Sequence, residues 1–295
     1  MTAEDGLRAR GSAIQLVAMD LDGTALRSDG TFSGYTKDRI EEVISRGVHL
    51  AAASGRSFAS LPAELRQIRG LEYVIVSNGA AIHSLTDGRR IYEDLIRADR
   101  VPDILEAVGA FASVCGPEDL PEVLECVVGG VGYASAEFLQ DPLRFGMTER
   151  GSRYVRSTRR PVADMPGFLR MHAAELDAVD IIVQPGEHRR QWERRLAAIP
   201  DIYVTSSVST LLEIASGTAG KASAVSWLAV RLGLEPRHIM AFGNAENDRD
   251  MLELAGLGVA VANSPAPLLE AADYVTDDND HDGVAHALET FILSR

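Results

Sequence analysis

Short apolar runs alternate with amphipathic segments near the start of the chain. Residues 14–19, 48–53 and 73–76 are apolar runs of the kind that form buried strands of a parallel sheet. Between them, residues 34–47 carry apolar side chains on one helical face, and residues 57–69 are predicted to form another helix. Because parallel strands are joined by crossovers, this alternation predicts a doubly wound, parallel-sheet α/β fold.

The same alternation returns toward the carboxyl end of the chain. There the pattern predicts a helix over 221–232 and strands over 238–242, 257–261 and 273–275. Each predicted strand is again separated from the next by a helical or loop segment. The two ends of the chain are therefore expected to contribute to one sheet.

The middle of the chain has a different texture, because proline and glycine interrupt it and its apolar runs are short and mixed. A late strand candidate covers 211–214. We therefore predict a core formed by residues 1–83 and 217–295, and an α+β domain inserted over residues 84–216. A basic run in the insert indicates a solvated face or loose loop, with attraction of an anionic substrate as the alternative. It contains Arg150, Arg153, Arg156, Arg159 and Arg160.

Composition narrows the class of protein without naming a reaction. The 295 residues are 46% hydrophobic and 24% charged, which is typical of a globular protein with a sizeable core. A net charge of −14 argues against nucleic acid as a partner, since nucleic-acid binding relies on neutralising phosphates. Cys115 and Cys126 match neither a metal spacing nor a disulfide framework.

Localisation is inferred from what the chain lacks. No apolar stretch is long enough to cross a bilayer, so we expect no membrane association. Residues 1–12 are polar and without the apolar segment of a signal peptide, and they are expected to form a frayed tail. The expected compartment is therefore the cytoplasm.

Paired aspartates follow the first predicted strand in the segment Ala18-Met19-Asp20-Leu21-Asp22-Gly23-Thr24. Residues i and i+2 of an extended chain leave it on the same side, so Asp20 and Asp22 can face one site. Ligands of open α/β sheets bind at the carboxyl ends of the strands, where these acids would lie. Two like charges so close indicate a bound cation, a shifted pKa, or both. The alternative is an ordinary acidic Asp-Gly turn.

Two further loops carry groups that suit a phosphate. Ser54 and Gly55 follow the second strand and offer a hydroxyl and an unobstructed amide. Lys221 opens a predicted helix, where the helix dipole already favours an anion. An ordinary Ser-Gly turn and a surface lysine are the alternatives. The segment before Lys221 is not a P-loop, because Ala215 and Ala222 replace its glycine and its hydroxyl residue.

The loop after the predicted strand over 238–242 supplies Asn244, Asn247 and Asp248. Their side-chain oxygens are the ligands that Mg²⁺ prefers in proteins. An Asn/Asp-rich helix cap is the alternative. Each loop alone can be explained as an ordinary turn, a surface lysine or a helix cap. The order and placement of all four loops together are harder to explain in that way.

Together these motifs resemble the haloacid dehalogenase superfamily, in its Cof-type branch (subclass IIB, with a C2 cap inserted after the third core strand). The resemblance rests on Asp20-Leu21-Asp22-Gly23-Thr24, Ser54-Gly55-Arg56, Ser77-Asn78-Gly79-Ala80, Lys221, Gly243-Asn244-Ala245-Glu246-Asn247-Asp248 and Asp282-Gly283-Val284-Ala285. It covers the core almost end to end. It implies a Rossmann-like catalytic core and a cap that closes over the substrate and supplies its contacts. The cap itself matches in position and size more than in residues.

The resemblance also implies roles for individual residues. Asp20 would attack phosphorus and form an aspartyl-phosphate, while Asp22 would protonate the leaving group and then activate water. Leu21, Ser54, Gly55, Lys221 and Asn247 would bind the phosphoryl oxygens. Asp20, Asp22, Asn244 and Asp248 would hold the cofactor, Mg²⁺.

One residue departs from the family pattern, since Asn244 stands where the family usually has aspartate. Asparagine can ligate a metal through its carbonyl but removes a negative charge, so we expect weaker Mg²⁺ binding or recruitment of Glu246.

The function expected from these features is a Mg²⁺-dependent phosphomonoesterase. Its expected substrate is a small phosphorylated metabolite, such as a sugar phosphate or a glycosyl-glycerate phosphate. The alternatives are a sugar phosphomutase and a catalytically weak protein that binds a phosphorylated ligand.

Overall fold

A computed structural model describes residues 3–112, 123–183 and 186–294. Cys115 lies outside the described residues. The strands are β1 (Leu16–Asp20), β2 (His49–Ala53), β3 (Tyr73–Val76), β4 (Ala81–Ser84), β5 (Arg90–Glu93), β6 (Val123–Val128), β7 (Val131–Ser135), β8 (Arg159–Val162), β9 (Leu176–Ile182), β10 (Ile202–Thr205), β11 (Leu211–Ser216), β12 (Ile239–Gly243), β13 (Leu257–Val261) and β14 (Tyr274–Thr276). The α-helices are α1 (Ala3–Gly11), α2 (Gly34–Ser45), α3 (Val101–Ala112), α4 (Ala136–Gln140), α5 (Glu149–Thr158), α6 (Met165–Met171), α7 (Glu187–Leu196), α8 (Lys221–Arg231), α9 (Arg249–Leu254), α10 (Ala266–Ala271) and α11 (Gly283–Leu288).

The described residues divide into two compact units, each with its own sheet. In the first unit the strand order is β14-β13-β12-β1-β2-β3-β4-β5. From β14 to β3 neighbouring strands are parallel, and β4 runs antiparallel to β3. Leu16 and Ala18 face a buried apolar cluster that includes side chains of α8 and α9, while Val17 and Met19 on the other face are also fully buried. The predicted doubly wound α/β class is confirmed.

The predicted core strands are found within two residues of their expected ends, but the predicted helix over 57–69 is wrong. The structure has two short 3₁₀ turns there, Phe58–Ser60 and Ala63–Gln67. Pro62 lies between them and precedes the second turn. Because proline lacks an N–H and its ring obstructs the preceding turn, a continuous helix cannot pass through this position.

The expectation of a frayed amino-terminal tail is also wrong. Helix α1 packs against the carboxyl-terminal part of the first unit, since Arg10 donates two hydrogen bonds to Asp273, at 2.9 and 2.6 Å. Arg10 also donates to the carbonyl of Gly256, at 2.5 Å. These partners are distant in sequence, so a local pattern of polar residues gives no sign of them.

The sheet of the second unit has the order β10-β11-β9-β6-β7-β8 and is antiparallel except between β7 and β8. One face packs against α3, α6 and α7 through an apolar cluster. Cys126, Val179 and Leu212 are sheet members of that cluster, and Trp192 of α7 is fully buried in it. Helices and antiparallel strands thus build a separate apolar core in this unit.

The boundaries of the two units differ from the predicted 84–216. Strands β4 and β5 continue the first sheet, so the main part of the second unit is Glu93–Ala219. The short segment Arg56–Ser60 also clusters with the second unit. Within that unit, the backbone N–H of Ala59 donates to the carbonyl of Gly130 at 2.9 Å.

Candidate active site

Four loops of the first unit meet at one edge of its sheet. Strands β12, β1, β2 and β3 are parallel neighbours, so their carboxyl ends lie together. Asp20 is the last residue of β1, and Ser54 and Ser77 directly follow β2 and β3. Backbone hydrogen bonds link the second and third loops, since Asn78 N–H donates to the carbonyl of Ser54 at 3.1 Å. The parallel register thus brings together residues that are far apart in sequence.

Lys221 joins two of these loops through a buried ion-pair network. It is the first residue of α8 and is 2% exposed. Its Nζ donates to Oδ1 of Asp20 at 2.6 Å and to Oδ1 of Asp248 at 2.7 Å. The alternative of a surface lysine is therefore wrong. An ammonium group has three N–H donors, so one donor remains after these two bonds.

The electrostatics of this network are set by burial and by its unequal charges. Burial and the charge of Asp248 raise the pKa of Asp20 to about 7, against the lowering effect of Lys221. Burial alone would lower the pKa of Lys221, but the charges of Asp20 and Asp248 outweigh it and raise that pKa. Two carboxylates share one ammonium, so the cluster carries a net negative charge that favours a further cation.

Asp248 organises the fourth loop as well as holding Lys221. Its Oδ2 accepts the backbone N–H groups of Asn244 and Ala245 at 2.9 and 3.0 Å. The side chain is fully buried. The two bonds to Oδ2 give Asp248 a positioning role in the fourth loop, while Oδ1, which accepts only from Lys221 among the contacts described, keeps a lone pair.

The side-chain amide of Asn244 faces three oxygens of the first loop. One terminal atom of this amide lies 3.0 Å from Thr24 Oγ1, 3.1 Å from the Asp22 carbonyl oxygen and 3.2 Å from Asp20 Oδ2. If that atom is nitrogen, its two N–H groups are shared among these three oxygens. If it is the carbonyl oxygen, it accepts from the Thr24 hydroxyl and forms with the Asp20 and Asp22 oxygens a set that a cation can bridge. Thr24, which sequence reasoning did not select, is part of this arrangement.

Asn78, which the sequence analysis named only as part of a motif, positions the side chain of Asn247. Its Nδ2 donates to Oδ1 of Asn78 at 2.9 Å, and both residues are buried. The Oδ1 atom of Asn247 is buried without a hydrogen-bond partner in the part of the chain that the structure describes. Ser77 and Asn78 have φ angles of 48° and 51°, a rare backbone conformation for residues with side chains. The third loop thus supplies the partner that orients Asn247.

The remaining predicted residues lie on the same loops. Ser54 is 1% exposed, Gly55 is half-buried and Leu21 is fully buried. Asp22 lies just beyond the end of β1, in a turn, and is exposed. Its placement therefore comes from the turn rather than from strand alternation, although its charge still raises the pKa of Asp20.

Glu246, the expected substitute ligand, is not part of this cluster. Its side chain is 63% exposed and pairs with Arg249 at 3.3 Å. Among the described residues, no three His, Cys, Asp or Glu side chains are grouped closely enough to hold a metal ion. A metal at this edge would therefore need the Asn244 amide and the Asp22 backbone carbonyl. In the same ranges of the chain, no helix is long and apolar enough to cross a membrane.

Comparison with known proteins agrees with this geometry. The family model of haloacid dehalogenase-like hydrolases matches residues 17–288. The phosphatase YwpJ of Bacillus subtilis is 27% identical over 293 residues, which cover 94% of this chain and 99% of that protein. The structure of a haloacid dehalogenase-like hydrolase from B. subtilis aligns with a TM-score of 0.78 and 25% identity. The alignment covers 94% of this chain and 99% of that chain. A subclass IIB sugar phosphatase shares the fold, with a TM-score of 0.76 and 19% identity. That alignment covers 94% of this chain and 98% of the sugar phosphatase.

The chain therefore belongs to the haloacid dehalogenase-like hydrolase family. It is a phosphatase of the Cof-type branch, as the sequence motifs predicted. The paired aspartates after β1 and the lysine at the start of α8 are accordingly its candidate active-site residues.

Gly79→Ala is expected to destabilise the protein by about 3 kcal/mol and to lower its activity. The cost of a left-handed backbone conformation for alanine adds to the cost of a steric clash. Gly79 has a φ of +98°, and a Cβ atom there would overlap the carbonyl oxygen of Gly220, directly before Lys221. Gly88→Ala is the matched control, since Gly88 has a φ of +72° but open space around it, and should cost about 1 kcal/mol. Urea denaturation of both variants measures the difference, and equal losses of stability would contradict the close packing of these loops.

Proposed function

We propose that this phosphatase hydrolyses phosphomonoesters of small metabolites with Asp20 as its nucleophile. The observation that carries this proposal is the buried Asp20 carboxylate at the end of β1, held by Lys221. An Asp20 oxygen attacks phosphorus, and the bond from phosphorus to the ester oxygen breaks. Asp22 gives its proton to the departing alkoxide. A water molecule then attacks phosphorus, Asp22 accepts its proton, and the Asp20 carboxylate and inorganic phosphate are released.

The phosphoryl oxygens have several donors around them in this proposal. The remaining N–H of Lys221 is directed by its bonds to Asp20 and Asp248, and the backbone around Leu21 belongs to the same loop as the nucleophile. Ser54 and Gly55 supply a hydroxyl and an amide, and Asn247 supplies its amide. Fixed donors of this kind stabilise the charge that develops on the phosphoryl group.

The residues present also fit Mg²⁺. Asp20 Oδ2, the Asp22 carbonyl and the Asn244 amide oxygen are hard oxygen donors of the type this ion prefers. These three residues would hold the ion, since a terminal atom of the Asn244 amide lies close to both the Asp22 carbonyl oxygen and Asp20 Oδ2. When bound, the ion would offset the repulsion between the nucleophile and the phosphate. We propose that Asn244, rather than Glu246, completes this set.

The substrate proposed is a sugar phosphate or a related phosphorylated metabolite, and the second unit is proposed to select it as a cap. The fold shared with a subclass IIB sugar phosphatase supports the sugar class. The motifs of the first unit account for a phosphate and a metal but leave the rest of a substrate without partners.

The proposed function is tested by incubating the protein with a panel of phosphorylated metabolites and Mg²⁺. Release of inorganic phosphate that stops on addition of EDTA is expected. Conversion of a sugar phosphate into its isomer without phosphate release would identify a mutase instead. Phosphate release that EDTA leaves unchanged would contradict the metal assignment.

Asn244→Asp is expected to lower the Mg²⁺ concentration for half-maximal activity about tenfold, because it adds a carboxylate beside the ion. Without Mg²⁺ the same variant should melt at a lower temperature than the wild type, since the new charge lies near Asp20. Glu246→Gln is the control, because it removes a charge from an exposed ion pair in the same loop. Metal titrations followed by activity and by melting temperature test both. A larger effect from Glu246→Gln than from Asn244→Asp would reverse the assignment.

A further inference from the structure

All five asparagines of the chain follow parallel strands of the first sheet. They are Asn78 after β3, Asn244 and Asn247 after β12, Asn263 after β13 and Asn279 after β14. Asparagine is common in turns, but the turns elsewhere in the chain use none. Because neighbouring strands from β14 to β3 run parallel, the five residues lie along the edge that carries the candidate active site. Three of them belong to that site, which leaves Asn263 and Asn279, called here the asparagine pair, without an assigned role.

The asparagine pair binds the loop that follows β1. Nδ2 of Asn263 donates to the carbonyl oxygen of Gly23 at 2.8 Å, and Nδ2 of Asn279 donates to that of Leu26 at 2.9 Å. The two members are also joined, because the backbone N–H of Asn279 donates to Oδ1 of Asn263 at 3.2 Å. Asn279 is buried, whereas Asn263 is exposed. The loops after β13 and β14 therefore hold the loop after β1 at two of its carbonyl groups.

Both carbonyl groups belong to the turn that carries Asp22. Gly23 directly follows Asp22, and Leu26 pairs with Asp22 in an isolated β-bridge. Gly23 has a φ of +78°, which glycine adopts at little cost but also leaves easily. Asp22 is itself exposed and lies beyond the end of β1, so neither burial nor the strand fixes its side chain. The bonds from the asparagine pair thus act on the residues that set the position of Asp22.

Further bonds from the loop after β14 reach later residues of the same connection. Both carboxylate oxygens of Asp280 accept from Ser28, one from its backbone N–H at 2.9 Å and the other from its hydroxyl at 2.6 Å. Asp282, which belongs to the last of the sequence motifs, accepts from the hydroxyl of Ser33, the N-cap residue of α2. These contacts hold the same loops together beyond the turn, which makes Asp280 a natural control for the asparagine pair.

We propose that the asparagine pair positions Asp22 for proton transfer to the leaving group. The inference rests on the proposed function, in which Asp22 gives its proton to the departing alkoxide. A proton donor must come within hydrogen-bond reach of the oxygen that it protonates. An exposed carboxyl on a turn that contains glycine reaches this distance in only part of its conformations unless the turn is held, and a misplacement of about 1 Å can cost roughly 100-fold in rate. Asn263 and Asn279 are thus positioning residues, which act through the turn.

Two aryl esters with leaving groups of different quality test this proposal. Phenyl phosphate and 4-nitrophenyl phosphate have similar shapes, but phenoxide needs a proton on departure more than 4-nitrophenoxide does. Asn263→Ala should lower kcat/KM about fivefold on phenyl phosphate and less than about twofold on 4-nitrophenyl phosphate, in keeping with one lost hydrogen bond. Both rates are measured at saturating Mg²⁺. Asp22→Asn should show the same selectivity with a larger loss, because it removes the proton donor itself.

Asn263→Asp separates the two bonds of this side chain. The carboxylate keeps an acceptor for the backbone N–H of Asn279 but has no donor for the carbonyl of Gly23. Its loss of activity should therefore be as selective as that of Asn263→Ala. Asp280→Ala is the matched control, because it removes two exposed hydrogen bonds between the loops after β14 and β1. The ratio of the two rates in this control should equal that of the wild type.

Hydrogen exchange resolved to single amides gives a second readout that needs no turnover. The N–H of Leu26 donates to the carbonyl of Leu21 across the turn, at 2.8 Å. Its exchange should be about fivefold faster in Asn263→Ala and in Asn279→Ala, because the turn opens more often. Asp280→Ala should leave this amide unchanged and instead accelerate exchange at Ser28, whose N–H loses its acceptor. Asn263 is exposed, so its variants keep the test available if Asn279→Ala does not fold.

The two readouts together decide between positioning and a purely structural role. A selective loss on phenyl phosphate with faster exchange at Leu26 supports the inference. Equal losses on both esters in the Asn263 variants, while Asp22→Asn remains selective, would overturn it and leave the proposed function intact. A wild-type ratio of rates, or unchanged exchange at Leu26, in both Asn263 variants would do the same. Equal losses in Asp22→Asn itself would instead refute the acid role of Asp22 in the proposed function, and the positioning role would fall with it.

Discussion

Asp20→Asn is expected to reduce phosphatase turnover by roughly 10⁴-fold or more, because an amide cannot attack phosphorus and the reaction would lose its proposed nucleophile. The variant should remain folded. Asp20 is a buried acid whose pKa is raised by burial and by Asp248, and asparagine has nearly the same size without the charge. The measurement is kcat on an aryl phosphate at saturating Mg²⁺, with circular dichroism as the check on folding.

Asp29→Asn is the matched control for this substitution. Asp29 lies nine residues after Asp20 in the sequence, is exposed, and bonds only locally to Thr31 among the contacts described. We expect its activity to be close to that of the wild type. Substantial activity in well-folded Asp20→Asn, purified free of host phosphatases, would remove Asp20 from the role of nucleophile.

Lys221→Met is expected to lower kcat by roughly 10³-fold and stability by about 3 kcal/mol. The activity should fall because the variant loses the donor that holds Asp20 and that we propose binds the phosphoryl group. The stability falls because Asp20 and Asp248 then face each other, buried, without the ammonium that lies 2.6 and 2.7 Å from them. Kinetics on the same aryl phosphate and urea denaturation measure the two effects.

The chain offers a natural control for this prediction, since Lys37 and Lys221 are its two lysines among 29 basic residues. Lys37 lies on α2 and is partly exposed, so Lys37→Met should change neither property appreciably. Lys221→Arg should not restore activity, because a planar guanidinium cannot replace a compact ammonium between two carboxylates. Wild-type kinetics in Lys221→Met would contradict the proposed network.

The core of the fold could be predicted because its signals are local. A buried parallel strand is an apolar run, and β3 and β13 were predicted with their observed ends, 73–76 and 257–261. Contacts between distant segments gave no such signal. The bonds of Arg10 to Asp273 order α1. The wrong helix over 57–69 has a different cause, because Pro62 is a local signal against a continuous helix and was given too little weight beside the apolar residues.

The candidate site could be located from sequence because each of its loops follows a predicted strand. The parallel register then places Asp20, Ser54 and Asn244 at one edge, as the motifs suggested. The sequence does not show which oxygen accepts a hydrogen bond from each donor of the site. The bonds of Asp248 to two backbone amides depend on the conformation of its own loop. The bond between Asn78 and Asn247 depends on the positive φ angles of Ser77 and Asn78.

The stereochemical course at phosphorus distinguishes an aspartyl-phosphate intermediate from direct attack by water. A phosphorothioate ester made chiral with oxygen isotopes is hydrolysed in water of a third isotope, and the configuration of the thiophosphate product is determined. Attack by Asp20 followed by attack of water inverts phosphorus twice, so overall retention is expected. Inversion would show that water attacks the substrate in a single step and that Asp20 forms no covalent intermediate.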